Sequence, residues 1–324
     1  MMYQSMNQIN RQKTVLVTGG CGFIGSHLAE ALVKQGYRVR ILDNLSTGKL
    51  ENINIFPAEN IEVLVGDVAD FKTVEAAVVG CHYILHEAAI ASVPKSVDDP
   101  IGTGKVNYGG TLNILEAARQ AGVRRVLFAG SAAVYGDEPT LPKQEAMPTK
   151  PITPYGIDKL ASELMGHCYA NTFGLEFVCL RYFNVFGSRQ DPSNPYSGVI
   201  SIFADRLHQK IAPTIYGDGS QTRDFIHVSD VVQANLLAME HPEASGKTFN
   251  VGRGTATSLL EIITLLNDLN GTNIIATHQP FRSGDIRHSL ADVSAMQSLG
   301  WSPTVSMRDG LAELLQTAYP QHVR

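Results

Sequence analysis

The sequence predicts an α/β fold, a doubly wound parallel sheet with a smaller, interleaved C-terminal substrate domain. Three observations carry that expectation. Short apolar runs alternate with helically spaced apolar residues through the first half of the chain. A glycine-rich loop stands between the first such run and the first helical segment. After Arg181 the alternation stops, and residues 187–224 become rich in Gly, Pro, Ser and Asp. Repeated strand–helix units with short connections close into a parallel sheet covered by helices on both faces.

The elements follow in order. Thr14-Val15-Leu16-Val17 reads as a buried strand, and Ile24, Leu28 and Leu32 then recur at helical spacing. Arg38–Leu42, Ile61–Val65, Tyr83–His86, Arg125–Ala129 and Glu176–Leu180 read as further strands, with helices over Thr111–Ala121 and Gly156–Phe173. Beyond them come a helix around Val199–Gln209, a helix over Asp230–Met239, a strand over Thr248–Val251, and a helical tail from Ser258 to Gln316. The expected division is a dinucleotide-binding domain over 13–181, to which 225–252 returns. A substrate domain takes 182–224 and 253–318, and residues 1–12 read as a disordered tail.

With 324 residues, the chain can bury one large core or a main domain with a smaller partner. A formal net charge of −5 gives no basic surface for nucleic acid, and no apolar run reaches the length of a membrane span. Cys21, Cys81, Cys168 and Cys179 show no CxxC spacing, so buried reduced thiols are expected, with no metal site and a cytoplasmic location.

Thr18-Gly19-Gly20-Cys21-Gly22-Phe23-Ile24-Gly25 follows the first strand and opens the first helix. Gly19 suits the tight turn, Gly22 lets backbone approach a pyrophosphate, and Gly25 lets helix and strand pack closely. Amides at the helix N-terminus then meet the anion. This order of strand, turn and helix defines a Rossmann-type dinucleotide site. Asp43 ends the second strand, where a carboxylate suits the ribose hydroxyls and repels a 2′-phosphate, favouring NAD over NADP. Lys49 is the one nearby feature that would suit the phosphate, and a turn role for Asp43 is the bland alternative. Asp67, at the end of Val63–Asp67, is placed where adenine would lie. Its rival role is to cap the next helix.

Tyr155 and Lys159 stand at i and i+4 on one helix face. A phenol is a poor base at neutral pH, and a neighbouring cation is expected to lower its pKa. Ser131 follows the strand ending at Ala129, which puts it at the same sheet edge, able to share a proton with Tyr155. A surface tyrosine and lysine would be the alternative without the glycine loop upstream.

With these residues in order, the chain resembles an extended short-chain dehydrogenase/reductase of the UDP-glucose 4-epimerase type. The matching stretches include His86-Glu87-Ala88-Ala89, Val134-Tyr135-Gly136, Arg181-Tyr182-Phe183-Asn184, Gly217-Asp218-Gly219 with Arg223, and Arg282-Ser283-Gly284-Asp285. The resemblance implies NAD contacts from Phe23, Ile24, Asn44, Val68, Ala88, Ala89, Asn107 and Tyr182. It implies a UDP-sugar substrate held by Asn184, Thr214, Ile215, Tyr216, Arg223, Arg282 and Asp285. Guanidinium forks match phosphate oxygens, although Arg223 and Arg282 each have a nearby aspartate that could take them instead. A homodimer through helices near 107–122 and 155–173 is also implied.

The reaction is decided by what is missing. The related dehydratases and decarboxylases resemble this chain but carry acidic residues after the position of Ser131. Here Ala132 and Ala133 stand there, leaving hydride removal and return as the available chemistry. The resemblance extends to UDP-N-acetylglucosamine 4-epimerases through Ser92–Ser96, the stretch from Asp191 to Val199, and Arg287-His288-Ser289. Ser289 occupies the position that guards the sugar's C2 substituent in that family, and a small residue there admits an acetamido group. Expected substrates are therefore UDP-GlcNAc and UDP-GalNAc, with UDP-Glc and UDP-Gal also accepted. The alternatives are a 4-epimerase of UDP-glucuronate, a UDP-pentose or a dTDP-sugar, a net oxidoreductase, or a non-catalytic NAD-binding regulator.

Overall fold

The structure, a computed structural model, describes residues 13–54, 60–191, 198–281 and 286–319. Six strands build most of the main sheet: β1 (Thr14–Thr18), β2 (Arg38–Asp43), β3 (Ile61–Val65), β4 (Cys81–His86), β5 (Arg125–Ser131) and β6 (Glu176–Tyr182). They lie in the order β3-β2-β1-β4-β5-β6, and the strand Lys247–Val251 adds to the free side of β6. Every pairing is parallel. The order reverses between β1 and β4, and in such sheets the ligand crevice opens at the carboxyl ends beside that switch point.

The helices are α1 (Phe23–Lys34), α2 (Phe71–Val78), α3 (Val93–Asp98), α4 (Pro100–Gly104), α5 (Gly110–Ala121) and α6 (Pro154–Phe173), followed by others in the C-terminal half. Their ends are written in the sequence. Thr153 caps α6 by accepting from Gly156 N–H, Pro154 sits in its first turn, and Gly174 closes it in the left-handed conformation. Apolar cores fill both faces of the sheet. Leu28, Leu32 and Val178 lie on one side, and Val74, Ile114 and Phe177 on the other.

A third core, with Phe203, Ile215, Phe225, Ile262 and Leu311 among its members, belongs to the smaller unit. That unit has a three-stranded sheet of Ala256–Ser258, Thr222–His227 and Asn184–Phe186, and a two-stranded pair of Thr214–Tyr216 and Thr277–Gln279. Thr222–His227 thus pairs within the smaller unit while Ile226 packs into the main core, and helix Val228–Glu240 follows it. Ala291, Val293, Met296, Leu299 and Trp301 also pack into the main core, although the sequence placed them in the substrate domain. Trp301 is tied there by donating to Asp230 O at 3.1 Å. Three cysteines are buried as expected, but Cys168 is exposed on α6.

Candidate active site

The glycine loop has the geometry that a pyrophosphate cradle requires. Gly19 has φ +66°, a left-handed conformation that a side chain disfavours. A Cβ on Gly25 would lie 2.2 Å from Gly19 O, so α1 approaches the loop as closely as backbone allows. The turn is closed by Gly22 N–H donating to Gly19 O at 3.0 Å, and it is pinned to the sheet by Gly19 N–H donating to Leu42 O at 2.8 Å. Gly19, Gly22, Phe23, Ile24 and Gly25 all line a cavity of about 480 Å³. Asp43, Asn44, Asp67, Val68, Ala88 and Ala89 complete its wall.

Asp43 is buried, and both oxygens already accept backbone amides: Oδ2 from Cys21 at 2.9 Å and Oδ1 from Leu45 at 2.8 Å. These bonds aim the carboxylate without using up its lone pairs. Asp67 does not cap α2; Asp70 does, by accepting from Lys72 N–H. Asp67 instead accepts from Ala69 N–H and from the Asn44 amide, and faces the cavity.

A second cavity, of about 920 Å³, adjoins the first and shares Gly22, Phe23, Glu87, Ala89 and Lys95 with it. Ser92, Ser131, Tyr155, Lys159, Tyr182 and Asn184 line it. Ser131 ends β5, and its hydroxyl accepts from Ala133 N–H at 3.2 Å and hydrogen-bonds Tyr155. Lys159 is buried, and its ammonium donates to Ala129 O at 2.8 Å while lying 5.9 Å from the Tyr155 ring centroid.

One expectation is corrected here. Burial pushes the Tyr155 phenol up, the Ser131 hydrogen bond pulls it down, and the Glu87 carboxylate pushes it up further, so in the protein alone the phenol stands above its ordinary value. Burial pulls Lys159 itself down to about 8 despite the opposing pull of Glu87. The Lys159 ammonium thus meets the end of β5 directly and still lies over the Tyr155 ring. A buried network behind the site fixes α6 against the sheet. Arg181 donates to both oxygens of Glu163, at 3.0 and 2.6 Å, and to the Tyr135 hydroxyl, which donates to Asn250 Oδ1 at 2.6 Å.

Other expected residues lie apart from these walls. Asn107 is buried, accepting from Ile90 N–H at 2.8 Å and donating to Ile90 O, so it holds the loop after β4 rather than the cavity wall. It lies in a π-helical turn, Lys105–Gly109, between α4 and α5. Val199 opens the helix Val199–His208, and its neighbour Gly198 is the residue on the cavity wall. Thr214, Tyr216 and Arg223 are in the smaller unit, outside both cavities. Arg223 donates to Thr222 O and Arg287 O. The suspected partner of Arg223, Asp224, is buried and accepts instead from the amides of Arg253, Gly254 and Ala291. Ser289 is half-buried and donates its N–H to Thr222 O at 3.1 Å; it is not on either cavity wall. Arg282 and Asp285 lie outside the described residues.

Two contributors carried no functional reading in the sequence. His86 is buried and bridges Thr18 Oγ1 at 2.7 Å and Thr111 Oγ1 at 3.0 Å. Thr111 donates to Asn107 O, and Ala88 N–H donates to Thr18. This chain is satisfied with a neutral imidazole carrying its proton on Nε2, the tautomer assigned from those partners. The second is Glu87, half-buried at the junction of the two cavities.

A glycine cradle, a ribose carboxylate, and a tyrosine–serine–lysine set at one sheet edge define a nicotinamide-dinucleotide enzyme of the short-chain dehydrogenase type. The chain belongs to the NAD dependent epimerase/dehydratase family, whose model matches residues 15–252. NAD is its cofactor. It is 40% identical to the UDP-glucose 4-epimerase of Mycolicibacterium smegmatis over 93% of this chain and 97% of that one. Among solved structures it is similar to the UDP-N-acetylglucosamine 4-epimerase of Methanobrevibacter ruminantium, solved with UDP-N-acetylmuramic acid. The TM-score is 0.92 at 37% identity, covering 96% of this chain and 99% of that chain. The UDP-glucose 4-epimerase of Thermotoga maritima, solved with UDP-glucose, gives a TM-score of 0.90 at 37% identity, covering 95% and 99%.

Proposed function

We propose that this NAD-dependent UDP-sugar 4-epimerase acts on UDP-N-acetylhexosamines as well as plain UDP-hexoses. The observation that carries the choice of reaction is the turn after Ser131. It presents Ala132 and Ala133 where an acid–base pair would be needed to eliminate water. As phenolate, the form that Lys159 and the positive charge of bound NAD would favour, Tyr155 takes the C4 hydroxyl proton and Ser131 shares it through their hydrogen bond. When bound, NAD supplies the hydride acceptor and donor. Hydride leaves C4 and returns to it, and a sugar that has turned over in between emerges as its C4 epimer. Asn184 and Ser92, on the wall of the larger cavity, are suited to the diphosphate and the sugar. Arg223 and Tyr216 would serve the nucleotide from the smaller unit, as would Arg282 and Asp285.

Support for the acetylated substrates comes from the small residue at Ser289, by its place in the sequence, and from Ser92 on the wall of the larger cavity. The test is incubation with UDP-GlcNAc without added NAD, followed by separation of the epimers. It is repeated with Ser289→Tyr, where N-acetyl activity should collapse relative to UDP-Glc. Equal loss on both substrate classes would remove Ser289 as the guard. A homodimer is part of the same proposal. It is supported by Val97, Ile101, Ile157, Leu164 and Phe173, which are exposed on α3, α4 and α6; α5 exposes no large apolar side chain. Among the described residues, no helix is long and apolar enough to cross a membrane.

A further inference from the structure

Glu87 follows β4 directly and lines both cavities where they meet. Among the described residues its side chain has one hydrogen bond, accepted at Oε1 from the Tyr182 hydroxyl at 2.9 Å. That hydroxyl accepts in turn from the Asn235 amide at 2.8 Å, and Asn235 is anchored by donating to Val231 O on its own helix. Both Tyr182 and Asn235 are buried. With its oxygen occupied by Asn235, the Tyr182 proton is directed at Glu87. Among the described residues, two carboxylates line the larger cavity. Asp191 is paired with Lys49 at 2.6 Å, whereas Glu87 has no ion-pair partner among the described residues.

Other groups face Glu87 from each packed element. Tyr155 and Lys159 come from α6, Tyr182 from β6, and Lys95 from α3 across the cavity. From β1 comes Thr18, whose carbonyl accepts from Glu87 N–H, and from α1 the uncharged Phe23 and Ile24 on the shared wall; Lys49 and Arg189 line the same larger cavity. His86, adjacent in sequence, stays neutral between its two threonines.

We propose that Glu87 is a positioning residue for the hydride cycle: its carboxylate favours the oxidised, positively charged nicotinamide and so drives the hydride back to the sugar. The proposal rests on the epimerase reading above. In the forward half-step, C4 loses a hydride to the nicotinamide and its hydroxyl proton to Tyr155. In the return half-step both come back, so electrons and protons balance within one cycle. Were the ring to lie at the junction that Glu87 lines, a negative charge there would stabilise the pyridinium and do nothing for the neutral reduced form. Reduction is thereby kept shallow, and the 4-keto sugar has little time to leave. The hydrogen bond from Tyr182 and the charge of Lys159 pull the Glu87 pKa down, but burial outweighs them and lifts it to about 7. Its charge is thus present on the alkaline side of neutrality and lost on the acid side, and the positive cofactor shifts that transition to lower pH.

The test uses the NAD-loaded protein with UDP-Glc and UDP-GlcNAc. Two quantities are followed across pH: the epimerisation rate and the near-ultraviolet absorbance of reduced nicotinamide during turnover. Glu87→Gln should keep its NAD, raise the reduced fraction by about threefold or more, and flatten the acid limb of the rate profile. Tyr182→Phe removes the hydrogen bond that lowers the Glu87 pKa, so it should keep that limb and move it to higher pH. A purely structural role would lower rates in both variants and move neither the limb nor the reduced fraction. Wild-type protein that exchanges no C4 configuration would sink the epimerase reading itself. A normal wild type, with Glu87→Gln matching it in reduced fraction and pH limb, overturns this proposal alone. Should Glu87→Gln fail to fold, an unmoved limb in Tyr182→Phe does the same.

Discussion

Gly25→Ala tests the cofactor cradle at its tightest point. The added Cβ would sit 2.2 Å from Gly19 O, 2.8 Å from Gly19 C and 2.9 Å from Gly20 Cα. All three are backbone atoms, so no side chain can swing away. Reaching an ordinary contact of about 3.4 Å requires α1 and the loop to part by roughly 1 Å. Overpacking of this kind typically costs about 1–3 kcal/mol of stability. The loop amides move with it, and a displacement of that size takes an N–H···O bond from about 2.9 Å out of useful range. Hydrogen bonds to a charged oxygen contribute about 1.5–3 kcal/mol each. Loss of one or two should therefore weaken NAD by roughly a hundredfold. The measurements are the NAD content of the purified protein, the Kd of the stripped protein by calorimetry, and Tm. Gly109→Ala is the control. Gly109 has φ −61°, and its nearest neighbour would be 3.8 Å away. It should hold its NAD and gain about 0.5–1 kcal/mol from helix propensity. A Gly25→Ala protein that retains wild-type NAD content and a Kd within about threefold of wild type would refute the close-approach argument.

Two further outcomes follow from the site. Tyr155→Phe should keep NAD bound yet lose about a hundredfold or more in kcat, while Ser131→Ala loses less; a Tyr155→Phe rate within about tenfold of wild type would move the base elsewhere. Burial holds His86 down at about 3 and His27 down at about 4, both below the unfolded value near 6.5. Their neutral forms are therefore at full advantage above pH ~6.5, and stability drains away as pH falls from there toward ~4 for His27 and ~3 for His86, by up to about 1.4 kcal/mol per unit for the buried His86 ring and less for the half-buried His27. Tm measured against pH should fall over that window, and His86→Gln should flatten the fall; parallel curves for the two proteins would show that His86 does not titrate on unfolding.

Local patterns and long-range contacts divided the legibility of this chain. The main-sheet strands were readable because buried parallel strands are nearly continuous apolar runs, as in Val15-Leu16-Val17; the edge strand β3, half-exposed, also begins and ends at the residues expected. The glycine loop was readable because its backbone requirement is written in one short stretch. The short strands of the smaller unit were hidden, since three residues such as Asn184–Phe186 show no period. Asp67 and Asp70 were indistinguishable as caps by composition, and only the position of α2 separates them. The hydrogen-bond partner of Lys159 was hidden for a similar reason. A spacing of four fixes a shared helix face, but not which of two acceptors the ammonium meets, and here Ala129 O on β5 takes it. Glu87 carried no signal beyond its place in the His86–Ala89 match, because its significance comes from Tyr182 and Asn235, which are 95 and 148 positions further along the chain. A carboxyl becomes chemically distinctive when folding removes its water and supplies a single donor. That is a property of the packed crevice, so residues of this kind are found by asking which polar groups at a site still lack a task.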